Sequence, residues 1–180
     1  MISGLIPHRY ARALYKFAGE SNNCQTVYAE MKNVIDAFRS NSQLEKVLSN
    51  PFVDREDKKT LLLSAAGKTP GEDYKRFVSL ILDHRREEFA YLMALAYRDI
   101  YRKENNISQV TVTTAAELPQ SEISKLKALV ERSFPQRTFE YQYAVNPDLI
   151  GGFVIDVDST RMDASISSEL EQLRQNLSSN

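Results

Sequence analysis

The sequence predicts a mainly α fold, with an N-terminal six-helix antiparallel bundle followed by a small α+β domain. Three observations predict it. Over roughly the first 105 residues, apolar side chains recur at spacings of three and four, as helices with one buried face require. Beyond Asn105-Asn106 the pattern opens with alternation, the mark of a strand half-buried in a sheet. The charge balance turns over at the same place: 17 basic and 14 acidic residues before it give +3, while 6 basic and 10 acidic after it give −4. No Gly/Ser-rich linker, low-complexity tract or internal repeat interrupts the chain, so the expected domains are residues 1–105 and 106–180.

The first helix is expected over about Ile6 to Gly19, with Tyr10, Ala13, Leu14 and Phe17 at i, i+3, i+4 and i+7. Pro7 suits its first turn, where a missing N–H has no partner to lose. The second, about Gln25 to Arg39, carries the stripe Val27, Met31, Val34, Ile35 and Phe38. A short third, Gln43 to Leu48, is stopped by Asn50-Pro51. Asp54 is placed to cap a fourth, Arg55 to Ala66, which Gly67 ends. Pro70-Gly71 separates it from a fifth, Glu72 to His84. The sixth, Arg86 to Glu104, is lined by Phe89, Leu92, Met93, Ala96 and Ile100. Short connections between such helices make antiparallel neighbours. Burial of one stripe against another offsets the chain entropy lost.

The second domain opens with Gln109-Val-Thr-Val-Thr-Thr114, whose β-branched residues alternate as a strand. A helix from Gln120 to Ser133 follows, with Ile123, Leu126, Leu129 and Val130 as its stripe. Phe139, Tyr141, Tyr143 and Val145 alternate through a second strand, and Asn146-Pro147-Asp148 is a turn. Phe153 to Val157 is a third strand, turned back by Asp158-Ser159 into Thr160-Arg161-Met162. A last helix, about Ala164 to Ser178, places Ile166, Leu170, Leu173 and Leu177 on one side. The expected arrangement is a small sheet covered by two helices.

Composition narrows the function. The net charge of −1 over 180 residues lacks the basic excess of a nonspecific nucleic-acid binder. One cysteine, Cys24, forms neither an internal disulfide nor a Cys-based zinc site. His8 and His84 are too few and too far apart for a metal cluster. No apolar run reaches the ~18 residues of a transmembrane segment. Met1 to Ile6 lack the basic start and long apolar stretch of a secretory signal, so a reducing, intracellular compartment is expected. No catalytic set, cofactor or metal is expected.

Individual motifs carry little chemistry. Gly151-Gly152 precedes a strand rather than a helix, so the pair reads as a tight strand entry and not a phosphate loop. Cys24 shows no neighbouring base to make it a nucleophile. Glu56-Asp57, Glu72-Asp73 and Glu87-Glu88 each fall in a first helical turn, where carboxylates favour the helix dipole. Arg85-Arg86 closes the fifth helix, where cations suit it. Tyr141 and Tyr143 read as core or sheet-face residues, since the RNA-binding Lys/Arg-Gly-Phe pattern is missing.

The fifth helix is the oddity. Tyr74, Phe77, Val78, Leu80, Ile81 and Leu82 fill an arc of roughly 200°, against the ~100° that an outer helix needs. Either this helix is central and buried by its own neighbours, or one face awaits a foreign helix. The first helix is similarly generous, with Ala11, Ala13 and Ala18 allowing close approach. A groove between the two could receive an amphipathic peptide.

These residues resemble a known family, the delta subunit of F-type ATP synthases, called the oligomycin sensitivity-conferring protein in mitochondria. The first helix carries Arg9-Tyr10-Ala11-x-Ala13-Leu14-x-x-x-Ala18. Asn50-Pro51 with Lys58 or Lys59 is similar to the junction before the family's fourth helix. Arg85 or Arg86, Tyr101 and Asn105 resemble its sixth, and Val112-x-Thr114-Ala115-x-x-Leu118 the start of its second domain. The strongest match is Asp148-Leu149-Ile150-Gly151-Gly152-Phe153, then Asp163-x-Ser165-Ile166-x-x-x-Leu170-x-x-Leu173. Nearly the whole chain takes part, in order. Two departures stand out: Arg9 where proline is common, and Ala164 where glycine is common.

The resemblance implies a non-catalytic stator subunit. Its helical domain would bind the N-terminal segment of the ATP synthase alpha subunit. Its second domain would bind the b-type peripheral stalk, and ion-driven rotation would thereby be coupled to ATP synthesis. It would sit peripherally on the cytoplasmic side of the energy-coupling membrane. The expected alpha-binding residues are Tyr10, Ala13, Leu14 and Phe17 of the first helix and Phe77, Leu80 and Ile81 of the fifth. The last helix and the Gly151-Gly152 region are the candidates for the stalk. The alternative is a helical-bundle adaptor for an unrelated amphipathic helix.

Overall fold

The structure is a computed structural model and describes residues 4–178. Residues 1–3 and 179–180, which the expected domain ranges and the signal-peptide reading include, lie outside the described residues. The chain divides into two compact units, one ending at Glu104 and the other beginning at Asn105. It is mainly helical, and its one small sheet lies in the second unit.

The first unit contains α1 (Leu5–Glu20), α2 (Cys24–Ser40), α3 (Gln43–Ser49), α4 (Arg55–Ala66), α5 (Glu72–Asp83) and α6 (Ala90–Glu104). Asp54 caps α4, its carboxylate accepting from the Arg55 N–H at 2.8 Å. Helix α5 ends in a Schellman turn. Arg85 adopts a left-handed backbone (φ 53°), its N–H donates to the Leu82 carbonyl, and the Arg86 N–H donates to the Ile81 carbonyl at 2.8 Å. Helix α1 ends likewise at Asn22, a residue type that tolerates this conformation. After Arg86 the chain makes a 3-10 turn, Glu87–Phe89, so α6 starts later than its periodicity predicts.

Helix α6 packs against α1 and α2. Its fully buried residues are Ala90, Met93, Ala94 and Tyr97, while Leu92, expected in the stripe, is exposed. The buried faces of α1 and α6 are rich in alanine (Ala11, Ala18, Ala90, Ala94), which lets two backbones approach closely. Two phenols reach into this core with their hydroxyls satisfied: Tyr97 donates to the Cys24 carbonyl at 3.2 Å and Tyr74 to the Leu62 carbonyl at 2.9 Å. Burial pushes both phenols well above their ordinary pKa, so both remain donors.

Polar contacts fix the connections. Asn23 donates to Asp73 at 2.9 Å, and the Gly71 N–H donates to Glu30. Lys58 pairs with Glu87 at 2.8 Å, with both side chains largely buried. Two acidic residues expected to serve the helix dipole therefore hold specific partners instead.

The second unit contains β1 (Ile107–Thr114), α7 (Gln120–Ser133), β2 (Thr138–Val145), β3 (Gly152–Val157), β4 (Thr160–Ser165) and α8 (Ile166–Ser178). The sheet order is β2-β1-β3-β4. Strands β1 and β2 are parallel (Val110 opposite Tyr141), which the crossover through α7 makes feasible. Strand β3 runs antiparallel to both β1 and β4. Val110, Val112, Ile155 and Val157 meet Leu126 and Val130 of α7 in the core.

The expectation that two helices cover the sheet fails for α8. Ile166, Leu170, Leu173 and Leu177 stay exposed, rising from 43% at Ile166 to 81% at Leu177. The cause is connectivity: α8 follows β4 with no intervening residue and packs mainly on β4 and the 3-10 turn Pro147–Leu149.

Gly151-Gly152 sits where the turn enters β3. Gly152 has φ +73°, and a Cβ there would lie 2.1 Å from the Ala164 carbonyl oxygen; one on Gly151 would lie 2.6 Å from Ile166 Cδ1. Ala164, one of the two departures from the resembled pattern, is not among the positive-φ residues, so its side chain is accommodated. Replacing Gly152 with alanine combines a disfavoured φ with a backbone clash, and should cost about 2 kcal/mol or more. Thermal denaturation checks this: G152A should lower the midpoint, and an unchanged midpoint would show that the β3–β4 hairpin tolerates a side chain there.

Candidate functional site

Helices α1 and α5 pack side by side and leave an open groove of about 520 Å3, lined by Ile6, Arg9, Tyr10 and Ala13 of α1, Leu80 of α5, and His84 and Arg86 beyond it. The Schellman turn at Arg85 is what brings Arg86 back to the groove. Tyr10 and His84 join across it, with Oη and Nδ1 2.8 Å apart and the rings edge to face. Farther along α1, the Arg76 guanidinium lies 5.9 Å from the centre of the Phe17 ring.

The structure splits the expected alpha-binding residues. Tyr10, Ala13, Phe17 and Leu80 are at least partly accessible, and Leu80 is 42% exposed. Leu14, Phe77 and Ile81 are not accessible, being packed in the core of their own unit. A partner helix cannot touch them without opening that core, so they are removed from the docking set. The two readings of α5 divide by residue. Tyr74, Phe77, Val78, Ile81 and Leu82 belong to a buried central helix, and Leu80 alone is left facing out.

Sequence reasoning missed a polar junction below α5. Lys58, rather than Lys59, is the buried lysine after Asn50-Pro51, and its partner Glu87 keeps one carboxylate oxygen buried without a hydrogen bond. Breaking such a pair is costly because a charge is left unmatched. Asn50 accepts from the Phe52 N–H at 2.9 Å, and the loop presents Phe52 almost wholly to solvent, at 94% exposed. The sequence signal was only the Asn-Pro turn.

A hydrogen-bonded hook roots α8. The Asp163 carboxylate accepts from the Ser165 N–H (2.9 Å) and hydroxyl (2.7 Å), and from the Ser168 hydroxyl (2.8 Å). Ser165 Oγ in turn accepts from the Ser168 N–H, as an N-cap does. The Ile166 N–H donates to the Gly151 carbonyl at 3.1 Å, tying the helix to the glycine pair. Beyond this root the apolar stripe of α8 is bare.

The other motifs resolve into packing. Tyr141 stacks with Tyr143 on β2, takes Lys127 of α7 over its ring, and has its phenol pushed up by burial. Cys24 donates to the Tyr15 carbonyl, and burial raises its thiol, which disfavours the nucleophilic thiolate. Among the described residues, no group of three or more His, Cys, Asp or Glu is placed to hold a metal, and no helix is long and apolar enough to cross a membrane.

The helical unit thus carries an open groove, and the small α+β unit a terminal helix with a bare apolar stripe. The chain belongs to the ATP synthase delta (OSCP) subunit family, whose model matches residues 6–177. Members of this family are non-catalytic stator components of that complex. The chain is 36% identical to the ATP synthase subunit delta of Phocaeicola vulgatus over 176 residues, which span 97% of this chain and 95% of that one. It is 36% identical to that of Parabacteroides distasonis over 177 residues, 98% of each. Its fold is similar to that of a chain in the Toxoplasma gondii mitochondrial ATP synthase hexamer (TM-score 0.67, 18% identity, covering 95% of this chain and 96% of that one).

The hook gives a pH dependence. Hydrogen bonds from Ser165, and then from Ser168, hold the Asp163 carboxyl below the usual carboxylate range. Its stabilisation is therefore present above the unfolded value of about 3.9 and lost as pH falls through the folded one. Amide protection at Ser165–Ser168, corrected for intrinsic exchange, should fall as pH drops below about 4. D163N should abolish that step, and an unchanged profile in D163N would remove Asp163 as its source.

Proposed function

We propose that this stator subunit works as a joint with two separate grips. Residues 1–105, as a six-helix antiparallel bundle, hold the N-terminal segment of an alpha subunit in the α1/α5 groove. Residues 106–180 hold a b-type stalk subunit on α8. The chain sits peripherally on the cytoplasmic side of the energy-coupling membrane and keeps the catalytic head from turning with the rotor, so that ion flow drives ATP synthesis. The observation that carries this reading is the groove itself: an apolar trough between two packed helices, floored by Ala13 and walled by Tyr10 and Leu80.

The fit is that of a helix in a groove, with binding energy concentrated in a few anchors. Ala13 leaves room for a partner's backbone. Leu80 supplies apolar area that water covers in the free protein. Phe17, flanked by Arg76, extends the contact by one turn. The core residues Leu14, Phe77 and Ile81 act beneath it by holding α1 and α5 at a fixed separation.

Leu80→Glu should weaken binding of a synthetic alpha N-terminal peptide by at least tenfold, roughly 1.4 kcal/mol or more, with helix content unchanged by circular dichroism. Unaltered affinity in a calorimetric titration would take Leu80 out of the site. For the stalk, Leu173→Asp should abolish co-elution with a b-type C-terminal segment while leaving alpha-peptide binding intact. Co-elution that survives the change would move the stalk contact off α8.

A further inference from the structure

The charge around the α1/α5 groove is one-sided. Arg9 and Arg86 line it, and no carboxylate does. Among the described residues, neither Arg9 nor Arg86 has an ion-pair partner, although Arg55, Lys58, Arg98 and Arg161 all have one. Asp83, adjacent in sequence to His84, pairs with Arg55 and lines not the groove but two other cavities, one of which Leu80 also borders on the α4 side. Arg76 adds a further cation one turn along, over Phe17. The unit as a whole carries only +3, so this is a local arrangement and not a generally basic surface.

We infer that the groove selects an acidic amphipathic helix, one with carboxylates directly beside its apolar stripe, and that Arg9 and Arg86 are the residues that read them. This rests on the groove being the alpha-binding site, and it names the chemistry the occupant must have. The stripe lies on Leu80 and Ala13. Its flanking carboxylates then meet two arginines whose backbones are fixed at the rim, one by helix α1 and one by the Schellman turn. Guanidinium and carboxylate match as forked donor and acceptor. As the helix seats, it shields these pairs from water, which strengthens them relative to an exposed pair. A basic helix with the same stripe meets like charge and is rejected.

The test uses the full-length protein and fluorescence anisotropy. Two dye-labelled amphipathic peptides share one apolar stripe and differ only in Glu or Gln at the flanking positions. The Glu peptide should bind about tenfold more tightly at low ionic strength, and the advantage should shrink in 0.5 M salt. The double variant Arg9→Gln, Arg86→Gln should bind both peptides with the Gln peptide's affinity. Equal binding of the two peptides by the unaltered protein, or a preference retained in the double variant, overturns the inference. Leu80→Gln, which adds no charge, separates the two readings. If it weakens both peptides alike, the groove is the site and the charge result stands or falls by itself. If it weakens neither, the groove reading and this inference fall together.

Discussion

Helix α5 has twelve residues with which to close the core of its unit and still line the groove beside α1. The conflict is resolved by angle. Tyr74, Phe77, Val78, Ile81 and Leu82 point inward, and Leu80, next to the buried Ile81 in sequence, points out. Everything at the groove depends on that division. Burying α5 on so wide an arc fixes its rotation, so Leu80 cannot swing away from α1. The left-handed Arg85 then ends the helix and returns Arg86 over its end, and the Tyr10–His84 contact sets the width of one end of the trough. A surface made of side chains whose backbones are locked from below loses little entropy when it binds.

Helix positions were legible in the sequence because caps and breakers act locally. The Asp54 cap, the Gly67 stop and the Asn50-Pro51 break all work within a turn of their own residue, and the predicted span of α4 matches the structure. What periodicity could not supply was the identity of the neighbours. It gives the width of an apolar arc but not which degrees of it are already covered. Leu14, Phe77 and Ile81 were therefore indistinguishable from Tyr10, Ala13 and Leu80. The same gap misled in the opposite direction at α8, whose stripe of one isoleucine and three leucines reads as core and is in fact bare. The late start of α6 follows from the left-handed Arg85, which no side-chain preference announced, because arginine is not a residue that favours that conformation.

The motifs that carried the family resemblance acquire physical reasons in the structure. Asn50-Pro51 and Lys58 form one device: the turn ends α3 and the lysine anchors the α5–α6 junction through Glu87. Gly151-Gly152 and Asp163-x-Ser165 form another. The glycines let β3 pass close beneath the Ala164 carbonyl and Ile166, and the aspartate and serine nucleate a helix on that spot. In both cases a short motif fixes where a helix starts relative to an adjacent segment.

Helix α8 is thus clamped at its root and unsupported along its length, which in mechanical terms makes it a cantilever. A beam of that kind bends most easily at its clamp, and its free end follows whatever it is glued to. Once a second rod is laminated along the bare leucines, the pair becomes a composite much stiffer than either rod alone. Under the stalk contact proposed above, the elasticity of this end of the subunit would be acquired on assembly, governed by how many of the exposed Ile166, Leu170, Leu173 and Leu177 become covered.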